Sequence, residues 1–146
     1  MTVPDRIIRR LNGPRGSVLL CAAAFCAVHV ISCLPPGTSG VVLPVGLDLL
    51  SETVPLAVYA AIWAVAMLLC VAGAFRRSNR SVRVGIDALA FGVTAGITLL
   101  WGGTYLLGWL FDEDPSRQWV LAAAYAAIAG LIATAARLVN PGEGVR

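Results

Sequence analysis

Ten of the eleven positive charges in this 146-residue chain fall on one side of four long apolar stretches. The stretches are residues 17–34, 54–75, 84–111 and 119–139. Arg6, Arg9, Arg10 and Arg15 precede the first; Arg76, Arg77, Arg80 and Arg83 separate the second from the third; Arg137 and Arg146 close the fourth. Arg117 alone lies in either of the other two connections. Basic residues are retained on the cytoplasmic side during insertion, so the pattern predicts four crossings with both termini cytoplasmic.

An apolar segment needs about 20 residues to cross a hydrocarbon core about 30 Å thick. Each stretch approaches or exceeds that length, and lipid offers no partner to backbone N–H and C=O groups, so the spans must be helices. The expected fold is therefore all-α: one four-helix transmembrane domain over residues 1–146, with no room for a soluble catalytic domain. With 58% hydrophobic residues the chain is too apolar for a soluble domain with a polar exterior. It contains no lysine and is rich in Ala, Val, Gly and Arg. That bias fits a GC-rich actinobacterial or actinobacteriophage coding sequence and places the expected location in the bacterial inner (cytoplasmic) membrane. The formal charge of +3 follows from topology and implies no nucleic-acid partner. The partners expected are the lipid bilayer, whose anionic headgroups suit a basic face, and other membrane helices, in a homo-oligomer or with a different protein.

The connections carry their own signals. Pro35-Pro36-Gly37 stops the first helix, because proline cannot continue its hydrogen-bond ladder. A second reading of this region takes residues 1–32 as a lipoprotein signal, with Val30-Ile31-Ser32-Cys33 as the cleavage and acylation motif. The loop 35–53 holds Leu43, Leu47 and Leu50 at helical spacing, which fits either a short interfacial helix or an irregular loop over the bundle. In the loop 111–118, Asp114 is placed to cap the fourth helix, with Pro115 in its first turn.

Small residues mark where helices can approach closely. Gly92 and Gly96 form a GxxxG pair, and Gly103 extends their face seven residues on; Ala122, Ala126 and Gly130 form a ladder in the fourth helix. These positions are expected to pack against neighbouring helices. Gly102-Gly103 is a candidate bend. Trp101, Tyr105 and Trp109 recur every four residues, with Trp119 at the same level on the next helix. Together they read as an interfacial belt anchoring the outer leaflet.

Ionisable residues inside spans are the default places to look for function, because charge in lipid is costly. Asp87 lies one turn into the third helix and four residues after Arg83, so a local ion pair accounts for it. His29 lies in the outer half of the first helix and can remain neutral. The rise per residue puts the two roughly 15–20 Å apart along the membrane normal, too far for direct proton exchange. Cys21, Cys26, Cys33 and Cys70 have no CxxC spacing and read as small hydrophobes, not as metal ligands. Asp112-Glu113-Asp114 reads as a solvated turn. No nucleophile–base pattern, phosphate-binding loop or HExxH is present, so neither an enzyme nor a cofactor site is expected.

The stretch Trp101-Gly-Gly-Thr-Tyr-Leu-Leu-Gly-Trp109, followed by an acidic turn and Trp119, resembles the small four-span membrane proteins of actinobacteriophages often proposed as holins. That resemblance implies accumulation in the inner membrane and a timed lesion that releases or activates a lytic enzyme. An accessory subunit of a larger envelope complex is the alternative. A small transporter or channel ranks third, because no Glu lies within a span and the polar lining would be limited mainly to Thr94, Thr98 and Thr104.

Overall fold

The described residues form four helices, each long and apolar enough to cross a membrane. They are α1 (Gly13–Ser32), α2 (Leu56–Phe75), α3 (Ile86–Phe111) and α4 (Gln118–Leu138). The computed structural model describes residues 13–34, 54–75, 85–111 and 117–138. The expected interfacial helix at 43–50, the Asp114 cap with Pro115, and the acidic triplet at 112–114 lie outside those residues.

Local sequence explains the boundaries. α1 starts four residues before the apolar run begins, with Pro14 in its first turn, where a missing N–H costs nothing. Arg15 therefore belongs to the helix and not to the segment before it. At the other end the amide of Cys33 reaches both the His29 carbonyl at 3.1 Å and the Val30 carbonyl at 3.2 Å. This tightened turn satisfies the last carbonyls just ahead of Pro35. In α2 the Pro55 carbonyl accepts from the Val58 amide at 2.9 Å, so the proline again sits where a helix begins. α3 runs without interruption through Gly102-Gly103. Its 26 residues span about 39 Å, still longer than the hydrocarbon core.

The helices alternate in direction and pack as two hairpins, α1 with α2 and α3 with α4, joined chiefly along α2 and α3. Contact of α1 with α3 and α4 is slight. One end of the bundle brings together Arg15, Asp87 and Ala136; the opposite end carries Trp109 and Trp119. These are called the basic end and the aromatic end below.

Between helices in lipid there is little hydrophobic driving force, so close van der Waals contact has to hold them together. The interior is accordingly made of small residues: Ala22, Ala23 and Cys26 from α1, Ala60, Ala66, Cys70 and Ala74 from α2, and Ala90 from α3 are all buried. Two glycines mark the tightest crossings. A Cβ on Gly73 would lie 3.1 Å from Leu19 Cδ1 and 3.2 Å from Asp87 Cα; one on Gly102 would lie 2.9 Å from Tyr125 Cβ and 3.4 Å from the Ala122 carbonyl oxygen.

The glycines expected to pack do not make these crossings within the chain. A Cβ on Gly92, Gly96, Gly103 or Gly130 would meet nothing within 4 Å, and Gly92, Gly96 and Gly130 are exposed. Ala122 is buried against Gly102, as a packing ladder requires, but Ala126 only grazes it and is exposed. The physical reason is rotation: Gly102, adjacent to Gly103, lies about 100° around the helix from it, and that turn is what faces α4.

Candidate functional site

Polar side chains inside the bundle collect in three places. At the basic end, Arg15 Nη1 contacts Asp87 Oδ2 at 2.9 Å, joining α1 to α3. Arg15 Nη2 also donates to the Ala136 carbonyl at 3.4 Å, which ties in the last turn of α4. A guanidinium here satisfies two demands together, the charge of a buried carboxylate and the free carbonyls at a helix C-terminus. The expected partner of Asp87, Arg83, lies outside the described residues. Arg137 points outward at the same end.

Further along, Cys70 Sγ and Thr94 Oγ1 are 3.1 Å apart and fully buried between α2 and α3. Thr98 donates to the Thr94 carbonyl at 2.7 Å, and Thr104 to the Trp101 carbonyl at 2.7 Å. The three threonines considered as a transport lining thus bond within the bundle, and Thr94 and Thr98 are wholly covered. Such back-bonding is how hydroxyls are accommodated in apolar helices. Cys26 and Cys33 are buried as well, and Cys21 is exposed; all four cysteines are free. Among the described residues no three metal-ligating side chains converge.

The third place is the most elaborate and centres on His29. Its Nδ1 lies 2.9 Å from the Phe25 carbonyl one turn back, and its Nε2 lies 2.8 Å from the Tyr125 hydroxyl on α4. A carbonyl can only accept, so Nδ1 carries the proton and donates; in the neutral ring Nε2 then accepts from Tyr125. The imidazole stacks on Trp63 of α2, with ring centroids 4.2 Å apart and planes 27° apart. Trp101 of α3 meets it edge-on at 5.9 Å, and Phe25 lies tilted at 4.5 Å. Tyr125 in turn stacks on Tyr105 at 5.5 Å. One histidine thus touches residues of all four helices and is almost fully buried.

This cluster redistributes the expected aromatic belt. Trp101 and Tyr105 turn inward and are half-buried, whereas Trp109 and Trp119 remain exposed near the aromatic end. Four residues advance a helix by slightly more than one turn, so a stripe at that spacing drifts by about 40° per step. Two steps after Trp101, the indole of Trp109 has rotated off the seam. Beside Gly102 and Gly103 an apolar groove of about 710 Å³ opens between α3 and α4, with Trp109 and Trp119 on its rim.

Sequence reasoning singled out His29 and Asp87 but not their partners. Tyr125 lies 96 positions from His29, and nothing in local spacing could pair them. In the sequence Arg15 stands among the basic residues ahead of the first span; its spacing four residues before Leu19, which puts both on one helix face, is the only local signal of its place in the bundle. No protein-family model, curated protein or solved structure matches the chain.

Proposed function

We propose that this chain is a non-enzymatic integral membrane protein of the bacterial cytoplasmic membrane that works by helix–helix assembly, and that its assembly permeabilises the membrane in the manner of a holin. In this reading the basic end, both termini and the arginine-rich connection 76–83 are cytoplasmic, and the aromatic end faces out. The observation that carries it is where the small residues point. Gly92 and Gly96 on α3, and Ala123, Ala127, Gly130 and Thr134 on α4, are exposed on the outside of the bundle. In lipid, a surface this free of bulk lets a neighbouring backbone approach closely and favours self-association.

The same geometry supplies a clean test. Because nothing lies within 4 Å of a Cβ at Gly92 or Gly130 and both positions are exposed, Gly92→Leu and Gly130→Leu are expected to spare the monomer and to obstruct contacts between molecules. Expression of the wild type in a bacterial host should admit a membrane-impermeant dye within a defined time after induction, and either variant should abolish entry at equal membrane abundance. His29→Ala and Asp87→Asn should retain it wherever they reach the same abundance. Normal growth and dye exclusion with abundant inserted wild-type protein would refute permeabilisation, and stable co-purification with other envelope proteins would then favour an accessory subunit.

A further inference from the structure

We infer that Cys26 and Cys70, backed by Thr94, form a buried site for a soft monovalent metal ion of the copper(I) class. The inference does not depend on the permeabilisation reading; it concerns the interior of the bundle. The three side chains come from α1, α2 and α3, and each residue is 0% exposed. Thr94 Oγ1 lies 3.1 Å from Cys70 Sγ. The Cys26 thiol hydrogen-bonds to the Cys70 sulfur and also reaches the Thr94 hydroxyl. Two thiols and one hydroxyl thus meet at a single point where three helices converge.

Thr94 is the exception among the threonines of the four helices. Thr98, Thr104 and Thr134 each donate to a carbonyl three or four residues back, the usual way to satisfy a hydroxyl in an apolar helix. Thr94 turns its hydroxyl to sulfur instead. A neutral thiol is a weak acceptor, whereas a thiolate accepts strongly from a hydroxyl. The bond is therefore most valuable when Cys70 is deprotonated. A thiolate in an apolar interior needs a cation against it, and the Arg15 guanidinium is already held by Asp87. A bound metal ion supplies the missing charge.

The donor set selects the ion. Hard cations require oxygen ligands. Zinc takes four ligands, and among the described residues no three His, Cys, Asp or Glu side chains converge. Copper(I) is soft, prefers sulfur and is satisfied by two ligands in a line. Metal–thiolate bonds of about 2.3 Å each make a sulfur–metal–sulfur unit only slightly longer than a hydrogen-bonded thiol pair. Small rotations of the two side chains admit it. Loading exchanges a proton for the ion: Cu(I) bonds to the Cys70 sulfur, the thiol proton leaves to water, and the Cys26 sulfur completes the pair through a lone pair. Oxidation states are unchanged and the assembled site is neutral, as a low-dielectric interior demands. The Thr94 hydroxyl remains on the Cys70 sulfur and orients it.

The test starts from the full-length chain carrying Cys21→Ser and Cys33→Ser, which leaves Cys26 and Cys70 as its only thiols. Copper is supplied during expression, and Cu(I) again, without oxygen, to the purified protein in lipid nanodiscs against a chromogenic Cu(I) chelator. One ion per chain should be retained, with two sulfur neighbours by X-ray absorption. Thr94→Val keeps the side-chain shape and should weaken retention about 10–100-fold; Cys70→Ala should abolish it. The X-ray absorption spectrum of the two-thiol chain decides the matter alone should Cys70→Ala fail to insert. Copper-free protein after both loadings overturns the site, as does copper bound only through nitrogen or oxygen, or retention unchanged in Cys70→Ala. Retention unchanged in Thr94→Val overturns the part given to its hydroxyl.

Discussion

Substituting Gly102 by alanine adds one methyl group at the tightest crossing of the α3–α4 hairpin. An ideal Cβ there lies 2.9 Å from Tyr125 Cβ, 3.4 Å from the Ala122 carbonyl oxygen and 3.7 Å from the Ala126 amide nitrogen. Two carbons rest at about 3.5–4.0 Å, so the first contact is short by about 0.6 Å or more. No rotamer relieves it, because Tyr125 Cβ is fixed to its backbone and the other two atoms are backbone. α4 must shift as a body, loosening the Tyr105–Tyr125 stack and stretching the 2.8 Å bond to His29. Overpacking of this kind costs about 1–3 kcal/mol, against which alanine's better helix propensity returns up to about 1 kcal/mol. The net expectation is a loss of about 1–2 kcal/mol. Gly96→Ala is the control: its Cβ meets nothing within 4 Å, so only the propensity gain remains and the variant should match or slightly exceed the wild type. Both are read by unfolding the purified protein in mixed micelles with increasing SDS, followed by circular dichroism. A Gly102→Ala variant as stable as Gly96→Ala would refute the close approach of α3 and α4 at this level.

Asp87→Asn should destabilise the bundle by about 3 kcal/mol, the lower end of the range for breaking a buried pair, since Arg15 keeps some exposure; replacing both partners, Arg15→Met with Asp87→Leu, should restore most of the loss in the same SDS titration. A reporter fused after Arg146 should behave as cytoplasmic, and an external signal there would overturn the assigned orientation. Brominated lipids should quench the exposed Trp109 and Trp119 far more than Trp63 and Trp101. Trp109→Phe combined with Trp119→Phe should therefore remove most of the quenching, and persistent quenching would contradict the inward placement of Trp101.

The helices were legible in the sequence because lipid imposes a length and forbids unpaired backbone, so each apolar run could only be a helix of about the observed extent. Arg15 shows the limit of that reasoning. Hydropathy alone starts the first span at residue 17, but a helix extends wherever its backbone can bond, and the Asp87 carboxylate lets a guanidinium sit inside the bundle. Rotation about each helix axis was not legible at all. Gly92 and Gly96 form the recognisable motif and face outward, while Gly73 and Gly102, which belong to no motif, make the close approaches. Small residues permit contact but do not say with what. His29 was visible as an oddity in an apolar run; its meaning depends on Trp63, Trp101 and Tyr125, brought to it by three different helices.

The ion pair at the basic end also orders events in time. In a chain that inserts as it is made, Arg15 enters the membrane long before Asp87 has been synthesised. At roughly 5–20 residues per second the interval lasts on the order of several seconds. The carbonyl of Ala136, 121 positions away, arrives later still. Until Asp87 has been made, the guanidinium lacks the α3 carboxylate that holds it in the finished bundle, so this contact belongs to the last stage of assembly and cannot guide the first hairpin.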